Sequence, residues 1–216
     1  KFTVNHGRNL HLLLRAERGV GNWEAVERMA TQLAKQDAIS PAFAEEARIQ
    51  AAVELLKRDA GERKTLEARW RGLSERERTH PRVAEAAARR ATGLGATALA
   101  REIVEKSLAQ EWSHTLVLAY GDVPALEPAE HIAEARARIE RAERWLHERP
   151  EDPSLLATLG RLCVHAELWG KAQSYLEASL SLEESRAAHL DLARLSERLE
   201  READAQRHYR RAAELE

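Results

Sequence analysis

Residues 159–180, LGRLCVHAELWGKAQSYLEASL, read as two amphipathic segments that meet at Trp169-Gly170. Gly160, Ala172, Ala178 and Ser179 fall on faces where an isolated helix would carry large apolar side chains. Antiparallel helices whose axes lie about 8–10 Å apart need small residues where they approach most closely. The spacing predicts that Gly160, Ala172 and Ala178 mark that approach. The pattern is also periodic. Leu156, Leu159-Gly160, Ala172 and Leu176 recur thirty-three residues later as His189, Leu192-Ala193, Ala205 and Tyr209. Two further copies run Leu10, Leu13-Leu14, Val26, Ala30 and Ala84, Ala87-Ala88, Ala100, Val104. Gly21-Asn22-Trp23 stands in register with Leu168-Trp169. Both tryptophans are expected to open a second helix and to wedge between neighbouring pairs.

A large-x-x-large-small helix answered thirteen residues on by a small residue is the spacing of a tetratricopeptide repeat. One such pair cannot bury its apolar face alone, so the units must stack. The predicted fold is all-α: a tetratricopeptide-repeat-like α-solenoid of antiparallel helix pairs, wound as a right-handed superhelix. Breaker residues cut the helical periodicity into segments 5–19, 22–37, 41–58, 61–72, 81–93, 96–110, 112–120, 128–148, 153–166, 170–182, 185–199 and 202–215. Pro41, Pro81 and Pro153 suit first-turn positions, where a missing N–H costs nothing. Asn22, Ser40 and Asp152 are candidate N-caps. The best-framed repeats are 5–37, 81–110, 153–182 and 185–215, with degenerate pairs at 41–72 and 111–148. With no Pro/Ser-rich linker, residues 1–216 read as one continuous domain.

Composition agrees with that reading. Ten glycines, six prolines and 5% aromatics, against 44% apolar and 32% charged residues, suit an all-helical chain with a buried core. A net charge of −2 with interspersed signs gives no electrostatic case for nucleic acid or a membrane surface. The single cysteine, Cys163, excludes an intrachain disulfide framework. No run approaches 18 apolar residues, so no segment reads as a membrane span. The sequence starts at Lys1 without an initiator methionine and is expected to be a portion of a longer protein.

Residues 148–185, ERPEDPSLLATLGRLCVHAELWGKAQSYLEASLSLEES, resemble the C-terminal part of the HemY family. These are proteobacterial tetratricopeptide proteins encoded with haem-biosynthesis genes. The resemblance rests on Trp145-Leu146, Asp152-Pro153, Leu155-Leu156, Leu159 to Leu162, Leu168 to Ala172 and Tyr175 to Leu180. Upstream, Trp112, Leu116-Val117 and Tyr120-Gly121 also fit. It implies a parent anchored in the bacterial inner membrane by two N-terminal helices absent from this chain, with this domain on the cytoplasmic side. It further implies a scaffold linked to a late step of haem (porphyrin) biosynthesis, without established catalytic residues.

The residues themselves hold no nucleophile elbow, P-loop, dinucleotide fingerprint or metal-ligand spacing among the nine histidines. No enzymatic activity is expected. The strongest signal is positional. The residue after the large-small pair of each framed first helix is expected to face the concave side, and it is Arg15, Arg89, Arg161 and Arg194. His11, His165 and Arg198 are nearby candidates on that face. Such a row of guanidinium groups would hold carboxylates or an acidic peptide by charge-assisted hydrogen bonds. The alternative is a solvated face on which the arginines pair with glutamates. The expected function is a non-enzymatic scaffold whose concave face binds a protein partner, a haem-biosynthesis enzyme or an acidic segment. No cofactor is expected. The alternative is a haem or tetrapyrrole carrier, for which Cys163 and His165 are the candidate axial ligands. The sequence also predicts that replacing Arg161 and Arg194 with Ala weakens capture of the partner without lowering the melting temperature.

Overall fold

The computed structural model describes residues 3–58, 62–124 and 131–215, with side chains from His11 onward. Among these the chain is 83% helical, without strands. It forms helices α1 (Thr3–Gly19), α2 (Trp23–Lys35), α3 (Pro41–Arg58), α4 (Arg63–Gly72), α5 (Glu75–Thr79), α6 (Pro81–Gly93) and α7 (Thr97–Gln110). These are followed by α8 (His114–Asp122), α9 (His131–Glu148), α10 (Pro153–His165), α11 (Trp169–Leu182), α12 (Arg186–Arg198) and α13 (Glu202–Glu214). The fold is the expected all-α, tetratricopeptide-like arrangement of helix pairs. Where the sequence reads as one continuous domain, the helices gather into two compact units, Lys1–Glu111 and Trp112–Glu216. In the first unit α1 pairs with α2 and α6 with α7, and α3 packs against both α2 and α6. In the second unit α10 pairs with α11 and α12 with α13, while α8 and α9 both pack on α10.

One turn makes all four framed hairpins. Gly21, Gly95, Glu167 and Glu200 take φ of 73°, 68°, 59° and 58°. The residue after each donates its N–H to the carbonyl five positions back: Asn22 to Glu17, Ala96 to Ala91, Leu168 to Cys163 and Arg201 to Ser196, at 2.8–2.9 Å. This is a Schellman closure, in which a left-handed residue satisfies carbonyls that the ending helix leaves open. The expected register of Gly21-Asn22-Trp23 with Leu168-Trp169 follows from it, and Trp23 and Trp169 do open second helices. Trp23 then packs on the cluster of Leu14, Val26, Ala30, Ala47 and Ala51.

The small-residue expectation holds at two of its three positions. A Cβ on Gly160 would lie 2.6 Å from Leu176 Cγ and 3.4 Å from the Ala172 carbonyl, so only glycine permits this approach of α10 to α11. Ala172 is fully buried, as are its counterparts Val26 and Ala100, and Ala205 nearly so. Ala178 is only half-buried. It sits one residue off the contact stripe, which Ser179 occupies instead. Ser179 and its counterpart Ser107 each turn a hydroxyl to the start of their own hairpin. They donate to the Pro153 carbonyl at 2.8 Å and the Thr79 carbonyl at 3.0 Å. In the first repeat Leu14 is buried but Leu13 is half exposed, and the Leu10 side chain lies outside the described residues.

Pro41, Pro81 and Pro153 do open their helices. Asp152 caps α10 by accepting from the Leu155 N–H at 3.0 Å, and Ser40 accepts from Phe43 at 3.3 Å. Asn22 makes no side-chain cap. Helix α5 has no counterpart among the predicted segments, and the predicted starts at 61 and 128 lie outside the described residues. Ser74 and Glu77 form a reciprocal capping box that starts this one-turn helix. A buried Arg138 on α9 was equally unforeseen. Its guanidinium donates to the carbonyls of Val123, at 2.6 Å, and of Tyr120, closing the C-terminal end of α8.

Two outcomes check this account by urea unfolding. Gly160→Ala destabilises the protein, because overpacking of about 1–3 kcal/mol exceeds the helical gain of about 1 kcal/mol. The same substitution in a Leu176→Ala background loses that penalty. Glu167→Gly and Glu200→Gly each stabilise by about 0.5–1 kcal/mol, since a left-handed non-glycine residue is strained there.

Candidate functional site

The sequence candidates divide between the two units. In the first unit His11 stacks on Phe43, ring centroids 4.5 Å apart. Arg15, also on α1, is exposed. Arg89 on α6 bonds Glu85 one turn earlier at 3.0 Å and lines a cavity with Gln50, Val53, Lys57 and Arg82. Arg15 is not part of that cavity. Of the expected row, Arg15 and Arg89 belong to the first unit and Arg161 and Arg194 to the second.

In the second unit the geometry is different. Arg161 and His165 on α10 and Arg194 and Arg198 on α12 line one cavity of about 390 Å³, together with Gly121, Asp122, Val164, Asp191 and Leu195. The lining comes from the facing sides of α8, α10 and α12, with α10 in the middle. One wall alternates in charge. Arg161 donates from Nε to Asp191 at 2.6 Å and from Nη1 to Asp122 at 2.8 Å. Arg194 lies 3.7 Å from the other Asp191 oxygen. Arg161 and Asp191 are largely withdrawn from solvent, 17% and 14% exposed, whereas Arg194 keeps 66% of its side chain in water.

The other wall carries no acid. Arg198 is exposed, with its guanidinium 6.0 Å over the Trp169 ring. Among the described residues it has no carboxylate at ion-pair distance. His165 stands beside it. Surrounding protein atoms, and then the Arg138 and Arg198 cations, hold its ring below the ordinary histidine value. The imidazole is therefore neutral at pH 7 and accepts or donates one hydrogen bond. Three guanidinium groups thus face two carboxylates, and the excess positive charge lies at Arg194 and Arg198.

This arrangement revises one expectation. Arg161 was expected to be dispensable for stability, but it is tied to two aspartates from two other helices and acts as a crosslink. Asp122 and Asp191 lie 39 and 30 residues away in sequence, and the repeat spacing gives no sign of them.

Cys163 and His165 also part company. Cys163 is fully buried in the core of the α10–α11 hairpin, where burial pushes its thiol up to about 11. A thiol in that state is not a thiolate ligand, and it faces away from the groove on which His165 stands. Among the described residues no group of three or more His, Cys, Asp or Glu could hold a metal ion. None of the described helices is long and apolar enough to cross a membrane.

No protein-family profile matches the chain. Curated proteins give no match either. Solved structures similar to it include "MamA MSR-1 C2", at 14% identity and a TM-score of 0.41 over 89% of this chain and 95% of that one. Another is a point mutant of MamA, at 15% identity and a TM-score of 0.40 over 90% of this chain and 98% of that one. With TM-scores below 0.5 these likenesses carry no argument, and the fold rests on the helix pairing described above.

Arg161→Ala is expected to cost about 1–3 kcal/mol, because Asp191 loses its main partner in a poorly solvated place. Arg194→Ala stays within about 0.5 kcal/mol, as exposed pairs contribute little. Thermal unfolding of the two variants separates the roles. Cys163 stays unreactive to a thiol-disulfide reagent at pH 8 in the native protein and reacts fully in denaturant.

Proposed function

We propose that the chain is a non-enzymatic protein-interaction scaffold whose second unit holds an acidic segment of a partner protein in the α8–α10–α12 groove. One observation carries the reading. Arg194 and Arg198 stand one turn apart on α12, exposed and short of carboxylates, beside an Arg161 already neutralised by Asp122 and Asp191. A carboxylate arriving there meets two guanidinium forks without first breaking a strong pair. His165 adds a neutral hydrogen-bonding edge, and Val164 and Leu195 supply an apolar floor. A shallow groove floored by helices suits a peptide better than a small molecule, which would need a deeper enclosure.

On the resemblance of residues 148–185 to the HemY family, the proposed setting is the cytoplasmic side of the bacterial inner membrane. The partner would then be an enzyme of late haem biosynthesis. The buried, protonated Cys163 argues against the carrier alternative, leaving His165 as its sole candidate ligand.

A fluorescent glutamate-rich peptide titrated by anisotropy tests the groove. Arg194→Glu with Arg198→Glu is expected to weaken binding by more than tenfold, since each charge-assisted bond is worth about 1.5–3 kcal/mol. Salt should weaken the wild type in the same sense. Affinity unchanged in the double variant would remove the proposal. Capture from bacterial membranes with the full-length parent, and its loss with the same double variant, tests the partner.

A further inference from the structure

Helix α12 carries a second feature on its other side. His189 Nδ1 and His208 Nδ1, from α12 and α13, lie 3.0 Å apart, with ring centroids at 5.3 Å. His189 is buried, 8% exposed, at the position where the preceding repeat has Leu156 and the two repeats of the first unit have Leu10 and Ala84. Two ring nitrogens at hydrogen-bond distance need one N–H and one lone pair. One imidazole is therefore unprotonated at Nδ1 as long as the hairpin is closed. A second proton would set two N–H groups and two positive charges against each other.

The charges around the pair come from every element packed on it. Glu184, in the loop before α12, lies 3.5 Å from His189 Nε2 and is held by Arg211 of α13 through bonds of 2.6 and 2.5 Å. Arg207 and Asp204 of α13 and Glu177 of α11 act on His208, and Arg210 and Glu214 of α13 line the same cavity as the two rings. Helix α10 contributes no further charge, because its Arg161 and His165 face the groove. Glu184 is shared between His189 and Arg211, Arg211 also holds Glu214 at 2.9 Å, and Arg207 holds Asp204 at 2.9 Å. A first proton thus has a carboxylate beside His189, whereas among the described residues no carboxylate lies at ion-pair distance from His208 to neutralise a second.

We infer that His189 and His208 form a pH-sensitive clasp that closes the α12–α13 hairpin near neutrality and loosens it in mild acid. Loosening reaches the groove directly. Asp191 and Arg194 lie two and five residues along α12 from His189, and Asp191 is the acid that holds Arg161. The clasp thus regulates the site proposed above, and in that part it rests on the proposed function. The direction follows from linkage. Burial, then the neighbouring His189 and Arg207, hold His208 below its ordinary value. The unfolded hairpin therefore binds more protons than the folded one, and closure is weakened as pH falls below about 6.5.

Amide hydrogen exchange on the whole chain, expressed as protection factors at pH 7.5 and pH 5.5, tests the clasp. Protection across α13 is expected to fall in acid relative to α10 and α11, by up to about tenfold, the most that protonating one ordinary histidine in the open hairpin can supply at pH 5.5. His208→Asn keeps a hydrogen-bonding group near Nδ1 but cannot titrate, and it should abolish that difference. Equal protection of α13 at both pH values, or an acid effect that persists in His208→Asn, overturns the clasp. Binding of the glutamate-rich peptide is read separately. Coupling predicts that its affinity drops more in acid for the wild type than for His208→Asn, and equal drops overturn the link to the groove. A peptide that binds at neither pH defeats the proposed function while leaving the exchange result to decide the clasp.

Discussion

Everything in this structure depends on a turn in which one residue enters left-handed space and the next closes a six-residue ring onto the ending helix. At Gly21, Gly95, Glu167 and Glu200 that geometry recurs with nearly the same φ. It fixes the angle at which a second helix leaves the first, and so fixes which side chains meet. Small residues then follow as a consequence. Gly160 lets α11 come close enough for Leu176 to lie where a Cβ would otherwise be. Ala100 and Ala205 stand at the position of Ala172 in two other hairpins, and all three are buried. The two glycines adopt the turn without strain. The two glutamates do so against their own preference, which is the mark of a conformation imposed by the packing around it.

The groove of the second unit is built by the same geometry. Helices α8 and α12 flank α10, so residues from all three line the same hollow. What fills that hollow is electrostatic. Arg161 is flanked by acids from both neighbouring helices, which ties α8, α10 and α12 together and leaves it little freedom to meet a guest. Charge available for recognition is displaced to α12, where Arg194 is loosely held and Arg198 rests over an indole face. Arginines that stabilise and arginines left for the proposed recognition thus lie on the same surface, and side-chain type alone does not tell them apart.

That distinction marks how far the sequence could be read. Helix identity, the hairpin turns and the tight spot at Gly160 depend on local size and spacing, and were legible. Four of the proposed groove residues, Arg161, His165, Arg194 and Arg198, fall in one cavity because their repeats are adjacent. Arg15 and Arg89 belong to the other unit. The roles were less legible, since they depend on Asp122 and Asp191, whose approach is set by tertiary packing. Ala178 missed the contact by one residue, a rotation of about 100° on a helix. Helix α5 had a readable signal in Ser74-x-x-Glu77 that is easily passed over in a stretch without apolar periodicity. Arg138 had none, because a buried guanidinium serving two carbonyls looks in sequence like any arginine on a polar face.

Ser107 and Ser179 have a consequence of their own. Each sits ten residues into its helix and bonds a carbonyl at the beginning of its hairpin, so the two ends of the loop of chain are measured against each other. One residue inserted in the turn would swing the hydroxyl a quarter of the way round the helix and break the measurement. The hairpins therefore behave as units of set length. Insertions and deletions should be tolerated in the connections between hairpins and rejected inside them, so the arrangement gauges its own spacing.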